Sequence, residues 1–321
     1  MIKHPELSLG LCRFLIGLKN EKRIWVFLII IALLLIGGGG YYYWQQAASQ
    51  NRPKKVLKSK IKLVAIGDSL TQGVGDQKQQ GGYVGIIKHL LANQYHNQVI
   101  TYNYGKSGDR SDQILQRLHN QSIIQHNLKS ADVIVMTVGG NDLSQVLYAK
   151  APGKSANQVE TAVQKAGISY RKKLRQLMRA IRQENKTAPI FVISIYNPYY
   201  VYFPNVTTME NSVTIWNHYT QATVQKYQQT YFVNIQKLMS YGQYTSASSR
   251  SSLGSQTKQA NQSSTKQSDL IQVINTSSNL NNYISPSDNY HPNYRGYTKM
   301  AQALLKVMKQ HNQFEYRIVK E

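Results

Sequence analysis

The sequence predicts an α/β fold with a parallel five-stranded sheet, preceded by one apolar segment near the N-terminus. Its 321 residues are 41% apolar, which is enough to fill a core and excludes wholesale disorder. Five short apolar runs are bounded by Gly, Pro, Asn or Asp and separated by stretches long enough for a helix, as is typical of βαβ units. The runs are residues 63–66, 99–104, 133–138, 190–195 and 231–235.

The stretches between the runs carry apolar residues at helical spacing. Residues 83–91, 114–118 and 300–308 each place their apolar side chains on one face of a predicted helix. A fourth predicted helix, at about 165–186, has a stripe that we expect to be buried. Its members are Ile168, Leu174, Leu177, Met178 and Ile181.

The chain is strongly basic, with 38 Lys and Arg against 15 Asp and Glu and a formal net charge of +23. Such an excess is typical of proteins that bind nucleic acid or an anionic surface. The helix at 165–186 concentrates it, because eight basic residues there meet only Glu184. This face is either solvated, with the stems of long side chains covering apolar surface, or it contacts an anionic envelope polymer or lipid head groups.

Residues 24–44 contain no charged side chain, and at about 1.5 Å per residue they are long enough to cross the hydrocarbon core of a bilayer. Lys22 and Arg23 precede this segment, and three tyrosines and Trp44 end it, as in an interfacial aromatic belt. We predict a single-pass anchor at 24–44, a short cytoplasmic segment at 1–23 and a domain outside the membrane. The alternative is a cleaved signal peptide, which would leave a secreted protein.

The rest of the chain divides into a linker and one domain. Residues 45–61 are polar and basic and are predicted to be a linker, and 62–321 form the domain. From 243 to 282, 26 of 40 residues are Ser, Thr, Gln or Asn, which predicts a flexible insertion with one ordered turn at 270–274. The only cysteine, Cys12, precedes the apolar segment and excludes a disulfide framework, a Cys-rich zinc site and a catalytic thiol.

Ser69 lies where the first predicted strand ends. Gly67 lets the chain turn after the buried strand, so Ser69 begins the following helix at the carboxyl edge of the sheet. Backbone N–H groups at such a helix start can stabilise an oxyanion. An Asp-Ser pair is also a good helix N-cap, and this structural role is an equally valid interpretation of Asp68 and Ser69 taken alone.

A serine nucleophile needs a base, and the base needs a group that orients it. Among eight histidines, His291 differs from the others because Asp288 lies three residues before it and Pro292 follows at a predicted helix start. A turn of this spacing lets the carboxylate accept from His Nδ1–H and leaves Nε2 free for the serine proton. The sequence therefore predicts Asp288, His291 and Ser69 as one catalytic group.

Two further segments follow strands at the same edge of the sheet. Residues 105–111 can bring a backbone N–H, and residues 139–142 can bring the carboxamide of Asn141, to the place where Ser69 would build an oxyanion. Each segment alone is also ordinary glycine-rich turn chemistry.

Taken in order, these residues form four motifs. They are G-D-S-L at 67–70, N-x-G-x-S-G at 103–108, G-G-N-D at 139–142 and D-x-x-H-P at 288–292. The set resembles the GDSL, or SGNH, hydrolase family, in particular its membrane-anchored bacterial lipase/acylhydrolase-like branch. The resemblance runs from about residue 62 to the C-terminal helix and leaves out the anchor and the polar insertion.

The resemblance implies a flavodoxin-like three-layer α/β/α fold and ester hydrolysis with no metal and no cofactor. It makes Ser69 the nucleophile, His291 the base and Asp288 the partner of His291. It assigns the oxyanion hole to the Ser69 N–H, the Gly105 N–H and the Asn141 side chain. The partners that it implies are a lipid, glycan or small-molecule ester and the membrane.

Three functions remain open at this point. The first is a membrane-anchored extracellular serine esterase or acylhydrolase, and the second is an O-acyl transferase or deacetylase of cell-wall polysaccharide. The third is a non-catalytic binder of an anionic envelope polymer through the basic helix. Nucleic acid is not an expected partner, because no binding motif accompanies the charge and export would remove the ligand.

Overall fold

A computed structural model of the chain describes residues 20–50, 54–151, 153–257 and 281–319. The contacts divide the chain into two compact units. One comprises residues 1–56 with 317–321, and the other comprises Leu57–Tyr316. The predicted cytoplasmic segment falls mostly outside the described residues.

The first unit contains one long helix, α1, at Asn20–Gln50. Its apolar part, Ile24–Gln45, has a mean hydropathy of 2.4 and is not buried against the protein, so it is long and apolar enough to cross a membrane. A signal sequence near an N-terminus meets the same criteria of length and composition. The structure thus contains the predicted apolar segment as a helix and leaves both interpretations of it open.

The linker predicted at 45–61 is mostly regular structure. Helix α1 extends to Gln50, and a short strand, β1 at Lys54–Leu57, pairs with the last strand of the chain, β7 at Tyr316–Val319. Both strands have only four residues and none of them is buried, so neither gives a run long enough to be predicted as a strand. The boundary between the two compact units, Val56 to Leu57, falls within the predicted linker, and its role as a linker stays a prediction.

The second unit contains a five-stranded sheet of only parallel pairs, with the strand order β3-β2-β4-β5-β6. This confirms the predicted α/β fold and its five strands. The chain leaves β2 toward β3 on one side and later adds β4 on the other, so the carboxyl end of β2 is where ligand sites of open α/β sheets lie. The strands are β2 Lys60–Gly67, β3 Gln98–Gly105, β4 Val133–Thr137, β5 Ile190–Ile193 and β6 Thr230–Val233.

Helices cover both faces of the sheet because neighbouring residues of each strand point to opposite faces and both sets are apolar. The helices are α2 Ser69–Gln72, α3 Tyr83–Tyr95, α4 Ser111–Asn120, α5 Ser122–Lys129, α6 Gly140–Lys150, α7 Ala156–Glu184, α8 Thr207–Val224, α9 Gln236–Tyr241, α10 Ala247–Gln256 and α11 Tyr294–Gln310. Val64 and Ile66 pack with α4, α5, α7 and α8, whereas Leu63 and Ala65 pack with α3, α9 and α11.

The basic helix predicted at 165–186 is the end of α7, and one residue of its predicted stripe was wrong. Ile168 is 67% exposed, whereas Leu174, Leu177, Met178 and Ile181 are buried. The buried face passes through the neighbouring Gly167, where a Cβ would lie 2.2 Å from the ring of Tyr219. Ile168 is therefore one position off the contact face.

The polar insertion predicted at 243–282 is ordered in its first part. Helix α10 begins after Ser246, whose hydroxyl accepts from the Ser249 N–H at 3.0 Å, and Leu253 is only 2% exposed. Leu253 packs in a small cluster with Val201, Tyr202 and Phe203. A serine cap and one apolar contact thus hold a helix that was not predicted in this part, and the flexibility of the insertion stays a prediction. The turn expected at 270–274 lies outside the described residues.

Candidate active site

Ser69 is the first residue of α2, immediately after β2, and it is only 6% exposed. Asp68 caps the helix by accepting the Leu70 N–H at 3.0 Å, and Thr137 at the end of β4 donates to the same Asp68 oxygen at 2.7 Å. A side chain on Gly67 would lie 2.5 Å from the Thr137 carbonyl oxygen. The glycine thus lets β2 and β4 approach closely where the serine is presented.

The structure brings Ser69, His291 and Asp288 into one hydrogen-bonded chain. Ser69 Oγ lies 2.8 Å from His291 Nε2, and His291 Nδ1 lies 2.6 Å from Asp288 Oδ2. The exposed fractions of the histidine and aspartate side chains are 15% and 33%. The series of hydrogen bonds therefore runs from the buried serine to the rim of the site. This is the geometry in which a carboxylate orients an imidazole toward a serine hydroxyl.

Asp288 is held in its ionised form by its neighbours. Burial raises the pKa of this carboxyl, but hydrogen bonds from the His291 ring and from the backbone outweigh burial, and the net pKa is lowered. The backbone donors are the N–H groups of Tyr290 and His291, at 2.9 and 3.0 Å from Oδ1. An ionised carboxylate accepts the Nδ1–H and fixes the tautomer that leaves Nε2 without a proton.

The loop that carries both residues closes on itself, and we call residues 284–292 the histidine loop. The Ser285 N–H donates to the His291 carbonyl at 2.7 Å, and Ile284 forms an isolated bridge with Pro292. Asn289, at the tip, has a φ of +52°. The bridge and the Asp288 hydrogen bonds together fix Asp288 and His291 relative to each other.

Two tyrosines that the sequence analysis missed hold this loop. The Tyr196 hydroxyl donates to the Tyr290 carbonyl at 2.7 Å, and the Tyr202 hydroxyl donates to Asn289 Oδ1 at 3.0 Å. One signal was present for Tyr196, since it directly follows an apolar run that ends at the same sheet edge as Ser69. Tyr202 lies further along the connection and carries no comparable signal.

The three predicted oxyanion donors differ in their surroundings. Ser69 and Asn141 line the same cavity. One N–H of the Asn141 amide donates to the Asp109 carbonyl at 2.9 Å, and an amide NH₂ has a second donor. Gly105 lines no part of this cavity, and its N–H donates to Asn103 Oδ1 at 2.9 Å. The structure therefore brings two of the three groups together and engages the third elsewhere.

A buried ion pair connects the strand ends around the site. Arg117 pairs with Asp109 and also donates to the carbonyls of Tyr104 and Gly67, at 3.1 and 3.0 Å. Those carbonyls belong to β3 and β2, so one guanidinium bridges the two strands at the edge where Ser69 is presented. The Asp109 carbonyl is also the acceptor of Asn141, which links this network to the candidate oxyanion donor.

Asp142, which follows Asn141, is buried and fastens α6 to α4. Its two carboxyl oxygens accept from the Ser111 N–H and hydroxyl, at 2.9 and 2.6 Å. Burial raises the pKa of this carboxyl, although these hydrogen bonds lower it in part. Within the described residues no three His, Cys, Asp or Glu side chains cluster in a way that could hold a metal ion.

The cavity at Ser69 continues into an apolar chamber. Tyr196, Pro198 and Tyr290 line both spaces. We call this space the apolar chamber, and its other apolar walls are Leu143, Leu147, Tyr199, Met209 and Val213. An apolar group attached to a carbonyl at Ser69 therefore has a place out of water.

The chain is similar to two proteins of Bacillus. It is 28% identical over 256 residues to the uncharacterized protein YpmR of Bacillus subtilis, an alignment that covers 78% of this chain and 83% of YpmR. It is 29% identical over 160 residues to the spore germination lipase LipC of Bacillus licheniformis, covering 50% of this chain and 73% of LipC.

Solved structures share the fold. The lipase Lip_vut3 from a goat rumen metagenome superposes with a TM-score of 0.56 at 21% identity, covering 77% of this chain and 96% of that lipase. An extracellular lipase from Streptomyces rimosus gives a TM-score of 0.51 at 14% identity, with 77% and 99% covered. The sequence profile of the GDSL-like lipase/acylhydrolase family matches residues 65–299, most of the α/β unit. The chain therefore belongs to the GDSL-like lipase/acylhydrolase family and is an ester hydrolase.

Proposed function

We propose that the chain hydrolyses carboxylic esters through an acyl-enzyme on Ser69, with His291 as general base and Asp288 as its orienting partner. The observation that carries this proposal is the continuous hydrogen-bonded chain from Ser69 Oγ through His291 to Asp288. The site is at the sheet edge where α/β folds bind ligands, and an apolar chamber adjoins it.

In the first half of the reaction His291 Nε2 takes the proton of the Ser69 hydroxyl while Oγ attacks the ester carbonyl carbon. The π electrons of the carbonyl move to its oxygen. That oxyanion accepts hydrogen bonds from the Ser69 N–H and from the Asn141 amide. The tetrahedral intermediate then collapses, the bond to the alcohol oxygen breaks, and His291 gives its proton to the departing alcohol.

In the second half a water molecule replaces the alcohol. His291 takes a proton from the water as its oxygen attacks the acyl carbon, and the same donors stabilise the second oxyanion. Collapse breaks the bond to Ser69 Oγ, which recovers its proton from His291, and the carboxylic acid leaves. Asp288 stays ionised in both halves and stabilises the imidazolium that forms each time.

The Gly105 N–H donates to Asn103 Oδ1 in this structure. It can serve in the predicted oxyanion hole only if that hydrogen bond breaks and the N–H donates to the substrate oxygen instead. Asn103 also donates from Nδ2 to the Thr71 carbonyl at 2.7 Å, so its side chain is held from both ends. The Gly105 donor therefore rests on the family resemblance, whereas the donors at Ser69 and Asn141 are also supported by the cavity that they share.

Hydrolysis is tested with the full-length protein in a neutral detergent and p-nitrophenyl acetate, butyrate and octanoate as substrates. Ser69→Ala should lower kcat by about a thousandfold or more without changing the circular dichroism spectrum. Ser122→Ala, at the exposed start of α5, is the matched control and should keep wild-type activity. Turnover by Ser69→Ala equal to that of wild type would contradict the assignment of the nucleophile.

We also propose that α1 anchors the protein in a membrane with the α/β unit outside the cell. The segment Ile24–Gln45, which has no charged side chain and no buried residue, supports an anchor. Lys22 and Arg23 before the segment agree with an inside N-terminus, although basic residues after it reduce the bias. The interpretation as a signal sequence predicts a shorter, soluble product.

Cys12 gives a direct test, because the only cysteine of the chain precedes the apolar segment. In whole cells an anchored protein should keep Cys12 but protect it from a membrane-impermeant maleimide. In a Cys12→Ser background, Ser122→Cys should react with the same reagent. The intact mass of the isolated protein decides between anchor and signal, since cleavage near residues 47–49 removes Cys12.

Binding of an anionic envelope polymer by α7 stays a prediction. Lys173 pairs with Asp112 at 3.4 Å and Arg182 donates to backbone carbonyls, so these two bases have partners within the protein. Lys165, Lys172 and Arg179 are exposed. Polyanion binding that disappears in the triple Gln variant of these three residues would support the prediction.

A further inference from the structure

We propose that a buried network of hydroxyl groups positions Ser69 for its attack on the ester. The groups belong to Tyr83, Thr71 and Thr137, and we call them the hydroxyl network. None of the three residues lines the cavity at Ser69, so they are positioning residues that act through other groups. The inference deepens the proposed function and rests on it, because it concerns how Ser69 is held for that reaction.

The hydroxyl network joins α3, α2 and β4 to the turn before Ser69. Tyr83 begins α3, Thr71 lies on α2 and Thr137 ends β4. Tyr83 Oη lies 2.8 Å from Thr71 Oγ1, which lies 2.7 Å from Thr137 Oγ1. Thr137 Oγ1 in turn donates to Asp68 Oδ1 at 2.7 Å. All four residues are buried, so bulk water does not compete for these hydrogen bonds.

The direction of each hydrogen bond follows from the number of protons. Asp68 Oδ1 also accepts the Leu70 N–H, so it acts as an acceptor, and Thr137 gives it the one proton that a threonine hydroxyl carries. Thr137 must then accept from Thr71, and Thr71, whose own proton is used, must accept from Tyr83. The network therefore donates in one direction, from Tyr83 to Asp68.

Helix α2 is too short to hold Ser69 by itself. It is a single turn of four residues, and it ends at Gly73, which has a φ of +90°. A single helical turn is unstable in isolation, because few hydrogen bonds offset the ordering of its backbone. The hydroxyl network attaches this turn at two points, through the Thr71 side chain and through Asp68 at its start. The distance of 2.8 Å between Ser69 Oγ and His291 Nε2 therefore depends on these attachments.

The absence of a side chain at Gly67 makes room for the network. A Cβ at this position would lie 2.6 Å from Thr137 Oγ1 and 2.6 Å from Thr71 Oγ1. Both hydroxyl groups would have to move, and they could not keep their own hydrogen bond of 2.7 Å. The first glycine of the G-D-S-L motif thus serves the two threonines as well as the close approach of β2 and β4.

Stability alone does not account for the network. Apolar side chains of the same shape can fill such a space with little change in stability. Hydroxyl groups differ from them in direction, because a hydrogen bond has a preferred angle and so orients both of its partners. A purely structural role predicts that the shape of these side chains matters and that their hydroxyl groups do not.

The test therefore compares the loss of a hydroxyl group with the loss of shape at one position. Thr137→Val keeps the shape of the side chain and removes the hydroxyl, whereas Thr137→Ser keeps the hydroxyl and removes a methyl group. The full-length protein in neutral detergent is assayed with p-nitrophenyl butyrate, and urea unfolding gives the stability of each variant. Thr230→Val is the matched control. Thr230 is buried at the amino end of β6, and its hydroxyl donates to the Gln228 carbonyl at 3.2 Å.

Thr137→Val should lower kcat/KM about tenfold, because Asp68 loses its side-chain donor and Ser69 is displaced. Thr137→Ser should keep most of the wild-type kcat/KM, even where its urea midpoint is as low as that of Thr137→Val. Thr230→Val should leave kcat/KM unchanged. Tyr83→Phe should lower it only about threefold, because it removes the first donor of the network and leaves no donor without an acceptor. A larger loss in Tyr83→Phe than in Thr137→Val would overturn the inference, because the network would then not act through Asp68.

A second measurement separates this inference from the proposed function. The rate of labelling by a fluorophosphonate with an octyl chain reports the reactivity of Ser69 without turnover. In that reaction Ser69 Oγ bonds to phosphorus, fluoride leaves, and His291 takes the hydroxyl proton. If no ester is hydrolysed but Thr137→Val slows labelling about tenfold and Thr137→Ser does not, the proposed function fails and the positioning role stands.

Two results would overturn the inference and leave ester hydrolysis intact. One is hydrolysis and labelling by Thr137→Val at wild-type rates. The other is an equal loss of both rates in Thr137→Val and Thr137→Ser, because the shape of the side chain and not its hydroxyl would then decide the reactivity of Ser69.

Discussion

Glu315→Gln should remove the contribution that we expect Glu315 to make to the pH dependence of the free energy of unfolding between about pH 5 and pH 8. Glu315 ends a 3₁₀ turn before β7 and is 0% exposed. Neither carboxyl oxygen makes a hydrogen bond of normal geometry to the described residues, although Tyr95 and Asn312 lie close enough to favour ionisation. Burial dominates and raises the pKa of this carboxyl from 4.5 to about 7.

The magnitude follows from the two pKa values. In this window the unfolded chain releases the Glu315 proton while the folded protein still holds it, so the folded state is destabilised as the pH rises. The difference amounts to about 2.5 kcal/mol between about pH 5 and pH 8, and it stops growing above the folded pKa. Glutamine has the shape of the protonated acid and no proton to release, so the variant should lose this contribution.

Urea unfolding followed by tryptophan fluorescence measures the effect, since Trp216 is buried in the α/β unit. The full-length protein in neutral detergent is compared with Glu315→Gln at several pH values. Glu184→Gln, which removes one negative charge from α7, is the matched control. Parallel stability curves for wild type and Glu315→Gln would refute the reasoning, because they would mean that Glu315 titrates alike in the folded and unfolded states.

Three further outcomes are expected. Tyr196→Phe removes the hydrogen bond to the Tyr290 carbonyl, which is worth about 1 kcal/mol, and should lower kcat several-fold at saturating ester. An unchanged kcat would contradict a role of Tyr196 in positioning the histidine loop. Leu253→Ala should speed amide hydrogen exchange in α10 about thirtyfold, equal to about 2 kcal/mol, while equal exchange would show that Leu253 does not hold the helix. Gly139→Ala should destabilise the domain by about 2 kcal/mol or more, seen as a lower urea midpoint, because Gly139 has a φ of +103° and a Cβ would lie 2.6 Å from the Tyr170 hydroxyl oxygen.

The sheet was predictable because central parallel strands are buried on both faces and read as unbroken apolar runs. All five runs are strands, with bounds that differ by only a few residues. The proximity of Ser69, Asp288 and His291 was also predictable. The first follows a strand at the carboxyl edge, and the other two are close in sequence. Their catalytic roles stay predictions until the variants are measured.

The features that the sequence did not reveal depend on contacts between distant segments. Strand β1 pairs with β7, and each strand has only four residues, which is too short for a distinct apolar run. Helix α10 lies in a polar stretch, and its single buried leucine finds partners in the connection after β5. The support of the histidine loop by Tyr196 and Tyr202 likewise joins two loops, which leaves no periodic signal in either.

The proposed nucleophile lies in a different part of the fold from its proposed base, and this affects how activity is lost on heating. Asp288 and His291 share the histidine loop, whereas Ser69 begins α2 at the edge of the sheet, so a single hydrogen bond of 2.8 Å joins the loop to the serine. Detachment of the loop breaks that bond without unpairing a strand of the sheet. Thermal inactivation should therefore precede melting of the sheet and reverse on cooling, and turnover should report loop attachment more sensitively than any spectroscopic probe of the fold.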